Sequence, residues 1–304
     1  MTRTDPGTRG RANKRRHPLR WVAALLVLLA AGWFWLQWQL WGLQVTVTQV
    51  PVDGLPGGFE GLRIVQISDL HGHEYGPGSQ DLLELVAEQE PDLIAVTGDL
   101  IDRESQLEMV PALARGLAAI APTYYVTGNH EWAVGSVPRL KGVLAECGVT
   151  VLSNQYTVLE RNGASLVLAG VDDPNGYADQ KTPEELYAEI QAEGQASCIL
   201  LLAHRNDRFD QYAVAGYDLV ISGHGHGGIV RLPFTDGLLG TNREFFPTWT
   251  AGVYTLGDST LFVSRGLGNN TVPIPGFRLF NRPDLAVLEL TAGGVQGTGD
   301  KGAP

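Results

Sequence analysis

The chain has 304 residues, 44% of them hydrophobic, which leaves room for one large α/β domain of about 250 residues once the terminal segments are set aside. Its two cysteines, Cys147 and Cys198, exclude a cysteine-based zinc module and a disulfide-dense scaffold, with one disulfide left open. Residues 1–20 hold seven basic side chains against Asp5, so the rest carries 15 basic and 32 acidic groups, net -17, which argues against nucleic acid as a binding partner.

Taken in order, residues 1–20 read as a basic, disordered tail. Residues 21–43 are apolar, broken only by Gln37 and Gln39, and long enough to cross a bilayer. Trp33, Trp35, Trp38 and Trp41 crowd the distal half as an interfacial belt, and the basic flank is expected to stay cytoplasmic. This predicts a single-pass anchor with an extracytoplasmic domain. The competing readings are a signal peptide cleaved near Ala30-Ala31-Gly32, for which the apolar run is too long, and a twin-arginine export signal at Arg15-Arg16, which matches poorly.

Residues 44–60 form a lead-in, with an alternating strand at Val45–Thr48 and turns around Pro51, Pro56, Gly57 and Gly58. From there strands and helices alternate: a strand ending at Ser68, a helix near 79–89, the strand Leu93–Val96, a helix near 105–120, a strand at 123–127 and a helix at about 136–146. That alternation predicts largely parallel β structure. Short strands follow at 149–152, 156–160 and 165–170, then a capped helix near 183–192 that begins at Thr182-Pro183-Glu184-Glu185. Strands are expected at 251–256, 260–264 and 284–290, and residues 291–304 read as a disordered tail.

The polar clusters are the informative feature. Leu93-Ile94-Ala95-Val96 stops at Gly98 and delivers Asp99 just past the strand end, where α/β proteins bind ligands. Four other apolar runs do likewise: 64–68 delivers Asp69 and His71, 124–127 delivers Asn129 and His130, 199–203 delivers His204, and 219–222 delivers His224 and His226. A lone histidine of this kind is usually a core or turn residue. Five clusters of metal-ligand type point instead to a metal site.

The series Asp69-x-His71, Gly98-Asp99, Gly128-Asn129-His130-Glu131, His204 and Gly223-His224-Gly225-His226 resembles the calcineurin-like metallophosphoesterase family over residues 61–290. Ser264-Arg265-Gly266-Leu267-Gly268 and Phe280-Asn281-Arg282-Pro283 resemble its membrane-anchored bacterial phosphodiesterase branch. The resemblance implies two mixed β-sheets packed as a sandwich and flanked by helices. It also implies two metal ions, manganese, iron or zinc. Asp69, His71 and His226 would hold the first, Asn129, His204 and His224 the second, and Asp99 would bridge them. A hydroxide held between the metals would attack a phosphodiester or pyrophosphate, and His130 would protonate the leaving group or stabilise the developing charge. Glu131 is expected to orient His130 or its loop. Asp102, Asp172 and Asp173 read as turn and cap residues, and His73 as a solvated loop residue.

Two positions depart from the family pattern. Arg205-Asn206 stands where relatives often carry Asn-Pro, and Ile229 where a Gln is common; both bear on substrate choice rather than hydrolysis. Segment 233–250, with Asn242, Arg243, Phe245, Phe246 and Trp249, is expected to face substrate, with Arg243 meeting a phosphate; packing of its aromatics on the core is the alternative. The anchor makes a lipid or cell-envelope phosphoester the expected substrate. A UDP-2,3-diacylglucosamine pyrophosphatase-like hydrolase and a non-catalytic metal-binding scaffold are the alternative functions.

Overall fold

The computed structural model describes residues 18–194, 198–232, 236–241, 243–269 and 278–293. The basic tail up to residue 17, Asn242 and the C-terminal tail from 294 lie outside the described residues. The first helix, α1 (Pro18–Trp41), contains the apolar stretch Arg20–Trp41, long and apolar enough to cross a membrane. Residues through Trp38 and residues from Gln39 onward are separate compact units.

The second unit holds two six-stranded mixed sheets. The first contains β1 (Gln44–Val52), β2 (Arg63–Ile67), β3 (Leu93–Val96), β4 (Thr123–Tyr125), β5 (Thr150–Val151) and β12 (Asp284–Ala292), in spatial order β1-β12-β2-β3-β4-β5. The second contains β6 (Gln155–Arg161), β7 (Ala164–Gly170), β8 (Ile199–Leu202), β9 (Leu219–Ser222), β10 (Gly252–Leu256) and β11 (Ser259–Val263), in order β10-β11-β9-β8-β7-β6. The run β2, β3, β4, β5 is parallel, as is β7, β8, β9, β11. At the centre of each run, β3 (Leu-Ile-Ala-Val) and β8 (Ile-Leu-Leu-Leu) are apolar and buried along their whole length, as coverage of both faces requires.

Period-two side-chain alternation sorts each strand between two cores. Ile64, Leu93, Ala95, Leu200 and Leu202 point between the sheets. Val65, Ile67, Ile94 and Val96 point outward, under α2 (Gln80–Ala87), α3 (Val110–Ile120) and α5 (Val137–Glu146). Ile199 and Leu201 point the other way, under α6 (Pro183–Glu193) and α7 (Phe209–Ala215). Helix α3 buries Val110, Leu113, Ala114 and Leu117, a single stripe at helical spacing.

Several elements differ from the sequence reading. The helix expected over 105–120 is a 3₁₀ turn, Glu104–Glu108, followed by α3, because Pro111 fits only a first helical turn. Helix α4 (Asn129–Val134) and α7 are too short for a clear periodic signal. Strand β1 runs through Pro51, where a turn was expected; it is an edge strand, where a missing N–H is tolerated. The capping box at Thr182 forms as expected, with Thr182 Oγ1 accepting from Glu185 N at 3.2 Å and Glu185 Oε2 from Thr182 N at 2.8 Å. Both cysteines are free and buried, so the open disulfide is not formed.

The two faces of β8 allow a direct test of the sandwich. Leu200→Ala empties a wholly buried position between the sheets and should lower unfolding free energy by roughly 2–5 kcal/mol. Urea denaturation followed by tryptophan fluorescence would read this as a fall in midpoint; an unchanged midpoint would contradict the packing.

Candidate metal centre

The site forms where the carboxyl ends of β2, β3 and β4 meet those of β8 and β9. Each strand stops and the chain turns sharply. Asp69, His71, Asp99, His224 and His226 all adopt left-handed backbone, with φ between 45° and 65°. Such a conformation costs an L residue roughly 1–2 kcal/mol, and Asp, Asn and His are the side chains that tolerate it best. Two glycines are demanded by close approach. A Cβ on Gly128 would lie 2.2 Å from Asp99 Oδ1, and one on Gly223 would lie 2.4 Å from Asp69 Oδ2.

Hydrogen bonds lock the two sheet edges together at this point. Gln66 Nε2 donates to Thr97 Oγ1 (2.7 Å) and to Ser222 O (2.9 Å). His224 N donates to both oxygens of Asp69, at 3.0 and 3.2 Å. His204 Nδ1 meets Thr97 O at 2.8 Å. The result is two buried groups whose donor atoms lie within 4.8 Å of one another: Asp69, His71 and His226, and Asp99, His204 and His224. Asn129 joins the second, its Oδ1 3.2 Å from His204 Nε2. Asp99 lies between the groups. Its Oδ2 is 3.2 Å from His204 Nε2 and 3.9 Å from His71 Nε2, while its Oδ1 accepts from His130 N at 2.9 Å.

The donor chemistry fits a cation. With Nδ1 of His204 committed to a carbonyl, its Nε2 lone pair faces the oxygens of Asn129 and Asp99. With Nδ1 of His71 on Asp102, its Nε2 faces Nε2 of His226 only 3.0 Å away. Lone pairs opposed in this way need a proton or a metal between them. Burial, then the charges of His204 and Arg205, keep His224 well below the ordinary histidine pKa; burial, then His71 and Arg278, do so for His226. Neutral imidazoles are what a metal binds. For Asp99 burial opposes ionisation, but His204, then His71 and His130, outweigh it and hold the carboxyl well below the usual range.

Asp102 is the functional residue that sequence reasoning missed. Its Oδ1 accepts from Nδ1 of His71 at 2.6 Å and from Nδ1 of His130 at 2.7 Å, so it orients both rings. The available signal was chemical: a metal-ligating histidine usually gives its second N–H to a carboxylate. Among the imidazoles of His71, His130, His204 and His226, only that of His130 has an open face, with 25% of its side chain exposed against at most 3% for the others. Burial disfavours its charged form, but the Asp102 hydrogen bond and the nearby carboxylates raise its pKa to about 9.

Glu131 behaves as expected of a loop-orienting residue. Fully buried, it accepts from Asp99 N (3.0 Å), Leu100 N (2.5 Å) and Gly128 N (2.8 Å), fixing the turns of Asp99 and Asn129. Asp172 and Asp173 are more than caps. Asp172 accepts from Thr127 Oγ1 (2.8 Å) and Lys141 Nζ (2.6 Å) beneath α4, and Asp173 pairs with Arg205 at 2.7 Å. His73 is half-buried rather than fully solvated; it stacks on Trp41 (4.7 Å between centroids) and meets Tyr75 edge-on.

A cleft of about 220 Å³ opens beside His224, lined among others by Asn206, Asp207, Glu244, Phe246 and Trp249. The loop expected to face substrate thus borders the site, while Trp249 also packs edge-on against Phe209, 5.4 Å away. Arg243 is exposed on this loop, its N–H on Gly240 O, and is not among the residues lining the cleft.

Asp102→Asn should lower the pKa of His130 from about 9 towards the ordinary histidine value, because it replaces the carboxylate that stabilises the imidazolium. An NMR titration of the ring protons would read the shift; an unmoved pKa would assign the elevation to Asp99 and Glu131 instead.

Residues 62–228 match the family model described as calcineurin-like phosphoesterase. Phosphodiesterase YaeI of Escherichia coli is 32% identical over 239 residues, covering 75% of this chain and 82% of that protein. Metallophosphoesterase YkuE of Bacillus subtilis is 29% identical over 257 residues, 82% of this chain and 85% of its own. A bovine transmembrane protein with a metallophosphoesterase domain is 32% identical over 82% of this chain and 57% of its own length. With its sandwich of mixed sheets and its buried carboxylate–imidazole clusters, the chain belongs to the calcineurin-like phosphoesterase family and is a metal-dependent phosphoric ester hydrolase.

Proposed function

We propose that this hydrolase is anchored by α1 in a membrane, with the domain outside the cytoplasm, and cleaves a phosphodiester or pyrophosphate of lipid or cell-envelope origin at a dinuclear centre. The observation that carries the dinuclear reading is the position of Asp99, whose one carboxylate faces His71 of the first cluster and His204 of the second. In this assignment Asp69, His71 and His226 would hold one ion and Asn129, His204 and His224 the other, with the Asp99 carboxylate available to both sets. Manganese, iron and zinc all suit such mixed oxygen and imidazole donors. When bound, the pair supplies the Lewis acidity that activates water and neutralises phosphoryl oxygens.

The remaining work belongs to side chains of this chain. Asp102 holds His71 and His130 in fixed orientations through one oxygen. His130, with its exposed edge and raised pKa, delivers a proton to the departing oxygen. The cleft beside His224 receives the group that leaves or the group that stays. The apolar helix with its tryptophans supports the anchor, and the basic residues before it support a cytoplasmic N-terminus.

The full chain in detergent, loaded with manganese, zinc or iron, should release p-nitrophenol from bis-p-nitrophenyl phosphate, and Asp99→Ala should abolish this along with bound metal. Absence of release with every metal, in protein that still binds two ions, would overturn the hydrolytic reading. His130→Asn should keep the metal and lower kcat by roughly 10²–10⁴-fold. Because the protonated ring is the active form, wild-type activity should fall as pH rises past the His130 pKa, and that limb should vanish in the variant. A reporter fused to the C-terminus that is active only in the cytoplasm would contradict the proposed orientation.

A further inference from the structure

Arg205 is a residue that the cation assignment leaves unused. It follows directly after His204. Its side chain is mostly buried and held on one edge, with Nε 2.7 Å and Nη2 3.5 Å from the two carboxylate oxygens of Asp173. Asp173 is itself fixed, with Oδ1 accepting from Asn175 N at 2.9 Å and its own N–H on Thr127 Oγ1 at 3.0 Å. The opposite edge of the guanidinium faces the site. Nη1 lies 3.1 Å from His224 Nε2 and 4.0 Å from Asp207 Oδ2, two residues that line the cleft.

That contact with His224 cannot persist once His224 ligates a cation. If the ring ligates through Nε2, its lone pair is taken by the cation. If it ligates through Nδ1, the neutral ring carries its proton on Nε2 and offers no acceptor there. In both cases Nη1 needs another acceptor; Asp207 Oδ2, at 4.0 Å, lies outside hydrogen-bond distance, and Asp173 keeps the guanidinium from swinging away to look for one. We propose that Arg205 is a substrate-contacting residue, clamped by Asp173 so that Nη1 donates to a phosphoryl oxygen of the substrate on the His224 side of the site. The proposal rests on the hydrolase reading above and adds a recognition group to it. Arginine suits this position because its planar fork can hold a carboxylate with one edge and present donors on the other, which lysine cannot do. Asp173 acts through Arg205 and is a positioning residue.

The test uses the full chain in detergent, loaded with manganese, with inorganic phosphate as the probe. Phosphate binding is measured by calorimetry and as inhibition of bis-p-nitrophenyl phosphate hydrolysis, and metal content by atomic emission. Arg205→Ala should weaken phosphate binding roughly tenfold or more and raise KM by a similar factor, with metal content unchanged. Arg205→Lys should fall between, and Asp173→Asn should resemble Arg205→Ala without altering the charge of Arg205. Equal phosphate affinity in wild type and Arg205→Ala would overturn the proposal. So would loss of metal in the arginine variants with phosphate affinity per loaded molecule unchanged, which would make Arg205 a support for His224 alone. Should Arg205→Ala fail to fold, the lysine and Asp173 variants give the same readouts. A wild type that binds phosphate through Arg205 yet hydrolyses no ester would refute the hydrolase reading and leave this inference standing; hydrolysis indifferent to Arg205 would do the reverse.

Discussion

The carboxylate of Asp99 is buried among imidazoles, and much of the surrounding structure serves to keep it there as an anion. Its Oδ1 is fixed by a backbone amide of α4, its own amide is held by Glu131, and Gly128 lies so close that no side chain can stand there. A buried carboxylate is expensive unless positive charge or donors surround it. Here three histidines face it from three different strand ends. The sandwich brings those ends together because the parallel runs of each sheet discharge at one edge. Loss of that convergence would leave three turns, with five left-handed residues between them, and nothing to hold them.

The site sorts its imidazoles by what lies behind them. His204 has the carbonyl of Thr97 at its back and Asp99 in front, and its pKa rises to about 10 despite burial. His224 and His226, backed by arginines and by other rings, are driven neutral. His130 alone combines a carboxylate behind with water in front. In the proposed reading one residue type serves as ligand and as proton donor, with the difference set by second partners rather than by the ring itself. Asp102 matters because it is the second partner of two rings at once, tying the geometry of His71, a candidate ligand, to that of His130, the proposed proton donor.

Much of this was legible in the chain. Apolar runs such as Leu93–Val96 announced buried strands, and the polar cluster after each marked the edge where they discharge. What sequence could not supply was pairing across distance. Asp102 and Asp173 look like ordinary turn residues because their partners, His130 and Arg205, are remote in the chain and near only in the fold. Pro51 looked like a break because sequence does not say which strands lie at an edge. The 3₁₀ turn before α3 was hidden for a different reason: its residues carry helical propensity, and only the proline at 111 marks where the true helix can start.

The first sheet has an order of assembly written into its topology. Strand β12 lies between β1 and β2, pairing parallel with one and antiparallel with the other, although some 240 residues separate it from β1. Until the last strand has been synthesised, β1 has no neighbour in its sheet and β2 presents an open edge. Contacts of such sequence separation are slow to form, because the loop they close is long. The domain therefore passes through its synthesis and any translocation with an unfinished sheet. Completion falls to a strand that also anchors, through Asp284 and Thr46, the segment leading directly out of α1. A chain that stops short of residue 284 loses more than a terminal strand: it loses the element that joins the beginning of the domain to its middle.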